Sequence, residues 1–235
     1  MTDMIQAAVR SPKELLSTRR LLAVQGIAGG LFAIFLILHL GNALMAVFGV
    51  AAYNRFQSLA QIYYQQPLVE PLLVFLPLTI HAVVGVILLR RKTANGLKLT
   101  STQALNSWAG LFLLLVVFLH AAATRGVALI SGAATGFDAV SFSIWWMPGY
   151  FLPYYFLLFM AGLFHGYNGV LRLITRRTGQ GARQLKRARP VMLTAGSLLV
   201  AISLAGFAGV RYDIPDPTRS DYAAAYARIF NISLE

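Results

Sequence analysis

The sequence predicts an all-α membrane protein with five transmembrane helices. Three observations carry that prediction. Mean hydropathy is +0.65, with 57% hydrophobic and only 12% charged residues, where a soluble domain carries about 25% charged residues. Five apolar runs each reach or exceed the roughly 20 residues needed to cross a bilayer core. Basic residues collect at alternate ends of those runs.

The first run covers about Leu21–Val50, the second Leu68–Leu89 and the third Ala104–Thr124. The fourth covers about Met147–Leu173 and the fifth Val191–Val210. Gly29, Gly30, Pro77, Gly85, Gly162, Gly166 and Gly169 fall inside them, as is common in membrane helices. Trp145, Trp146, Tyr150, Tyr154 and Tyr155 cluster at the start of the fourth run and read as an interfacial aromatic belt. The organisation is therefore a cytoplasmic segment over 1–20, a five-helix domain over 21–210 and an external tail over 211–235. Residues 2–18 suit a short surface helix with Arg10, Lys13 and Arg19 on it, and a second short helix, able to cap the outer surface, is expected after Ser220–Asp221. No cleavable signal peptide is expected, because the first apolar run starts late and is too long for one.

Charge sets the orientation. Arg10, Lys13, Arg19 and Arg20 precede the first run, and Arg90, Arg91, Lys92 and Lys98 separate the second from the third. Arg172, Arg176, Arg177, Arg183, Lys186, Arg187 and Arg189 separate the fourth from the fifth. Fifteen of the 20 basic residues thus lie at one end, which the positive-inside rule makes cytoplasmic. The net charge of +12 is topology rather than a nucleic-acid footprint. It also leaves a basic inner face for anionic lipid or an acidic partner.

The chain has four histidines, His39, His81, His120 and His165, one in each of the first four runs, at intervals of 42, 39 and 45 residues. An ionisable side chain inside a membrane helix is costly and marks function by default. Helical rise gives each a depth. His81 lies roughly 14 Å from the inner edge and His165 roughly 10–16 Å, whereas His39 lies roughly 28 Å from it. His120, five residues before Arg125, is also outer. Depth pairs His39 with His120 and His81 with His165.

Two bis-histidine haems follow, an outer and an inner one. Four of the five helices then form a bundle around two stacked b haems. The absence of Cys removes covalent c-type attachment and a cluster held by this chain's own thiolates. Small residues near the histidines (Ala43, Gly85, Thr124, Gly162, Gly166, Gly169) would give a porphyrin room, and serve helix packing equally well. Arg125 is the candidate propionate partner of the outer haem, and Arg90, Arg91 and Arg172 of the inner one. Interfacial anchoring explains all four arginines too. Glu70, beside Pro71 at the outer end of the second run, is the leading outer polar candidate, and its bland role is a headgroup-level helix cap. Asn42, Tyr53, Gln65 and Gln66 are weaker outer candidates. Tyr167 and Asn168 are inner ones, better read as packing.

The residues ILHLGN around His39, TIHAVVG around His81, FLHAAATRG around His120 and LFHGYNGVLRL around His165 resemble the dihaem cytochrome b anchor of succinate dehydrogenase and fumarate reductase, in its single-chain form. The resemblance covers about residues 15–210. It implies that a flavoprotein subunit and an iron–sulfur subunit dock on the inner face, with room for a higher oligomer of the complex. It implies electron exchange with a quinone, menaquinone being expected, near the outer haem in a bacterial inner membrane, with Glu70 as the candidate for quinone proton exchange. Some members carry a glutamate two residues before the fourth ligand; here Leu163 stands there. Two rival readings remain: the dihaem cytochrome b of a nitrate reductase, formate dehydrogenase or hydrogenase, and a haem-free transporter with a histidine relay.

Overall fold

The computed structural model describes residues 17–96, 98–178 and 182–234, with backbone only at 176–178 and 182. The surface helix expected over 2–18 lies almost wholly outside these residues. Among the described residues there is no strand. Five helices are long and apolar enough to cross a membrane: Thr18–Phe48, Glu70–Ala94, Ser101–Ser131, Pro148–Thr175 and Arg183–Phe207. Ile37, Leu115 and Val191, on three of these spans, are 68%, 71% and 70% exposed. Apolar surface of that kind suits lipid rather than water, and the chain is read as a multi-pass membrane protein.

Local chemistry places the ends of the spans. The hydroxyl of Ser17 accepts the Arg20 N–H at 3.4 Å and opens the first. A reciprocal capping box between Thr100 and Gln103 opens the third, as that side-chain pairing does for orphan helix donors. Gly49, at φ +102°, ends the first and turns the chain into a separate helix, Val50–Tyr64. A side chain is strained at that φ, so glycine is required there.

Two spans contain widened π-turns. The second begins with one at Glu70–Phe75. Pro77 has no N–H to offer the preceding turn and crowds it, and a wider turn upstream relieves that conflict. The third is interrupted at Ala122–Gly126 before resuming as Val127–Ser131.

Among the first four spans, the principal packing joins one with two, one with four, and three with four. Span five lies against four and one, through Phe159, Val200, Leu204 and Phe207. The end bearing Arg90 and Arg189 is called inner, the opposite end outer.

The outer end carries a cap that hydropathy gives no sign of. It comprises Val50–Tyr64, a helix over Phe137–Trp146 and a C-terminal helix over Asp221–Phe230. The last is the short helix expected after Ser220–Asp221, and the Ser220 hydroxyl accepts the Ala223 N–H at 3.1 Å to start it. Residues 211–234 are therefore folded onto the molecule. Tyr222, Ala223 and Ala225 pack with Val127, Ala139 and Phe142. Trp145 and Trp146 end the Phe137–Trp146 helix, and both stack on Phe142.

Candidate functional site: two crossed histidine pairs

The four histidine rings meet in two pairs. His39 and His120 have ring centroids 5.9 Å apart with planes at 71°. His81 and His165 are also 5.9 Å apart, with planes at 88°. These pairs join spans one with three and two with four, which are not the principal packing partners. The histidines thus reach across the assembly while the helices pack side by side.

The inner pair is built on backbone. His81 Nδ1 lies 3.1 Å from the Gln25 carbonyl oxygen of span one. His165 Nδ1 lies 3.1 Å from the Asn106 carbonyl oxygen of span three. A carbonyl only accepts, so each Nδ1 carries the proton and each Nε2 keeps its lone pair. That is how metal-binding imidazoles are commonly oriented.

Glycine makes both carbonyls reachable. A Cβ at Gly29, four residues after Gln25, would stand 2.6 Å from His81 Nδ1. A Cβ at Gly110, four residues after Asn106, would stand 2.8 Å from His165 Cε1. Any side chain there displaces the ring. Asn106 Oδ1 is buried beneath this pair's support with no hydrogen-bond partner among the described residues.

The outer pair is built on side chains. His39 stacks on Phe35 at 5.3 Å, and Phe35 meets Tyr64 edge-on at 5.0 Å. His120 Nδ1 lies 3.2 Å from the Tyr154 hydroxyl, which comes from the outer part of span four.

Beside this pair, Glu70 and Arg125 form a two-pronged ion pair between spans two and three. Arg125 Nε donates to Glu70 Oε1 at 2.6 Å, and an Nη to Oε2 at 2.7 Å. The pair is partly buried, with side-chain exposures of 25% and 15%. The proposed propionate partner and the proposed proton-exchange group are thus each other's partners. Both residues sit in the two π-turns. Tyr64 stands near them; burial, and secondly the Glu70 charge, push its hydroxyl up to about 12, so it remains a neutral donor. A small apolar cleft lined by Leu31, Ile34, Phe35, Tyr64, Leu73 and Val74 opens beside it.

Two imidazoles on opposite faces of one metal are separated by two metal–nitrogen bonds of about 2.0–2.1 Å and half a ring on each side. That sum is about 6.4 Å between ring centres, and both pairs, at 5.9 Å, come within about half an ångström of it. Each pair brings two imidazoles to a spacing at which they could hold one haem iron between them. The residues present fit that group.

The remaining candidates are placed differently. Arg90 and Arg172 are exposed at the inner end, and the charge of Arg172 is close enough to act on both inner histidines. Asn168 accepts from Arg189 at 3.3 Å and Tyr167 donates to the Leu185 carbonyl at 2.5 Å, so both tie span four to span five. Asn42 donates to Gln57, and Gln66 donates to the Ile62 carbonyl of the helix before it. Gly162 and Gly166 face Leu36 and Leu40 of span one and serve packing, not the rings.

Sequence reasoning missed Gln25, Asn106, Gly110 and Tyr154. The signal available was a polar residue four before a glycine, Gln25–Gly29 and Asn106–Gly110, occurring in the two spans that support the inner histidines. No family model matches this chain, and no curated protein matches it either.

Proposed function

We propose that this chain is the two-haem cytochrome b membrane anchor of a succinate:quinone oxidoreductase. The observation that supports this reading most is the pair of crossed histidine contacts, each 5.9 Å between ring centres. His81 and His165 would hold the inner haem, and His39 and His120 the outer one, within spans one to four. A bis-histidine haem b supplies reversible one-electron chemistry when bound.

The chain's own residues do the rest. Backbone carbonyls of Gln25 and Asn106 fix the inner tautomers. Tyr154 orients His120. The apolar spans exclude water from both pairs. At the outer end, Glu70 exchanges protons with a quinone, menaquinone being expected, and Tyr64 donates a hydrogen bond beside it. The cleft between spans one and two accepts apolar surface there. Electrons travel between that end and the basic inner face, where an iron–sulfur subunit docks and carries the flavoprotein subunit. The N-terminus is then cytoplasmic and the C-terminal helix external, in a bacterial inner membrane.

Reduced-minus-oxidised spectra of the purified complex test this directly. Two b-type signals are expected. His81→Ala and His165→Ala should each remove the same one, and His39→Ala and His120→Ala the other. A protein with no b-type signal, or in which His39→Ala and His81→Ala delete the same haem, would sink the reading. Co-purification of a molybdenum or nickel enzyme instead of a flavoprotein would move the chain to another respiratory complex.

A further inference from the structure

We propose that the C-terminal helix, Asp221–Phe230, holds the outer site in register, and that Tyr222 is its positioning residue. The proposal rests on the outer histidine pair and the Glu70–Arg125 pair forming one working site.

In an α-helix each residue advances about 100°, so residues five apart point roughly 140° away from one another. His120 and Arg125 are five apart. A π-turn pairs residue i with i+5 and stacks such residues on a common side. The turn Ala122–Gly126 therefore lets His120 reach His39 while Arg125 reaches Glu70. Relaxation to a regular helix would swing Arg125 away by about one residue's rotation, some 100°.

A π-turn breaks the regular backbone ladder, so its carbonyls need other partners. Two hydroxyls bond carbonyls in it and just before it. Thr124 Oγ1 donates to the His120 carbonyl at 2.8 Å, a bond local to the helix. The Tyr222 hydroxyl donates to the Ala123 carbonyl at 2.7 Å, across 99 residues of chain. That bond is anchored firmly. Tyr222 is 4% exposed and Ala223 fully buried, and the Tyr222 ring packs edge-on to Phe142 and stacks on Tyr226. Val127, just beyond the turn, is 2% exposed in the same cluster. Burial pushes the Tyr222 hydroxyl up from its ordinary range, so it stays a donor throughout working pH. The tail thus braces the turn that aligns the two outer functional pairs.

Tyr222→Phe in the full complex removes the hydroxyl and keeps the ring packing. Amide hydrogen exchange should rise on the order of tenfold over residues 122–128, the equivalent of one lost hydrogen bond, with no change over 104–118. The infrared carboxylate band of Glu70 should move away from its ion-paired position. A Glu70→Gln difference spectrum identifies that band. The midpoint potential of the outer haem should shift while the inner one holds. Thr124→Val should give the same pattern more weakly. Unchanged exchange overturns the proposal, as does faster exchange with the Glu70 band unmoved, which would leave Tyr222 a merely structural residue. If the wild-type complex carried no haem, the proposed function would fall, while the exchange and infrared readings would still decide the role of Tyr222.

Discussion

The inner and outer histidine pairs have the same ring separation and opposite supports. The inner imidazoles lean on carbonyl oxygens of Gln25 and Asn106, reached over Gly29 and Gly110. The outer ones lean on Phe35 and the Tyr154 hydroxyl, beside an ion pair and two π-turns. Backbone supports cannot change rotamer, whereas side-chain supports can. An electron relay gains from the first arrangement, because little reorganises when charge arrives. A site that must adapt to a ligand gains from the second. The contrast suits a fixed inner station and an adaptable outer one.

The largest expected effect tests the glycine notches. Gly110→Ala places a methyl 2.8 Å from His165 Cε1, so the ring must leave its carbonyl. Helix propensity works the other way, favouring Ala over Gly by about 0.5–1 kcal/mol in a helix interior. The helices should therefore survive while the inner haem is lost and the outer one is kept. Gly162→Ala is the control, since its nearest neighbours are leucine methyls at 3.9 Å. Circular dichroism and optical spectra of both variants read the outcome, and an inner signal that persists in Gly110→Ala removes the notch from the argument.

The same contrast explains what was legible in the sequence. The five spans were legible because a bilayer demands long apolar runs, and their depths followed from helical rise. Depth led to the contacts His39–His120 and His81–His165, since rings at different levels cannot meet. The supports were not legible, because a carbonyl reached over a glycine leaves no hydropathy signature. Tyr154 read as an interfacial aromatic, and its aim at His120 depends on the rotation of span four. Of the cap, the C-terminal helix was legible from Ser220–Asp221, and the rest was hidden for a similar reason. Phe137–Trp146 reads as the apolar approach to the fourth span, yet it turns aside at Met147. The ion pair was half visible: Glu70 and Arg125 were both picked out, but 55 residues of sequence hid that they meet.

Next in size is Glu70→Gln. The amide keeps the shape and cannot carry the proton or match the two-pronged guanidinium. Loss of a proton-transfer group costs about a hundredfold or more in rate. Quinone-linked succinate turnover should fall by that order, while turnover with a soluble dye accepting electrons before the membrane should not change. Both haem signals should remain, with only the outer one shifted. Equal losses with both acceptors would show that Glu70 supports assembly rather than exchange.

The smallest effect belongs to Tyr154→Phe. The hydroxyl at 3.2 Å is the only polar support the structure gives to His120 Nδ1 among the described residues. Removing a group that orients a metal-binding imidazole costs about 10–100-fold in affinity. A buried, tightly held haem tolerates much of that loss, so occupancy in membranes should drop only partly and the outer signal should bleach first on dilution into detergent. The inner pair has no equivalent weakness, because no side-chain substitution deletes the carbonyl of Gln25 or Asn106. Titration of haem against detergent in Tyr154→Phe should thus separate the two signals, with the inner curve matching the wild type. If both signals bleached together, Tyr154 would be acting on the packing of span four as a whole, and the division between a backbone-built and a side-chain-built site would lose its clearest consequence.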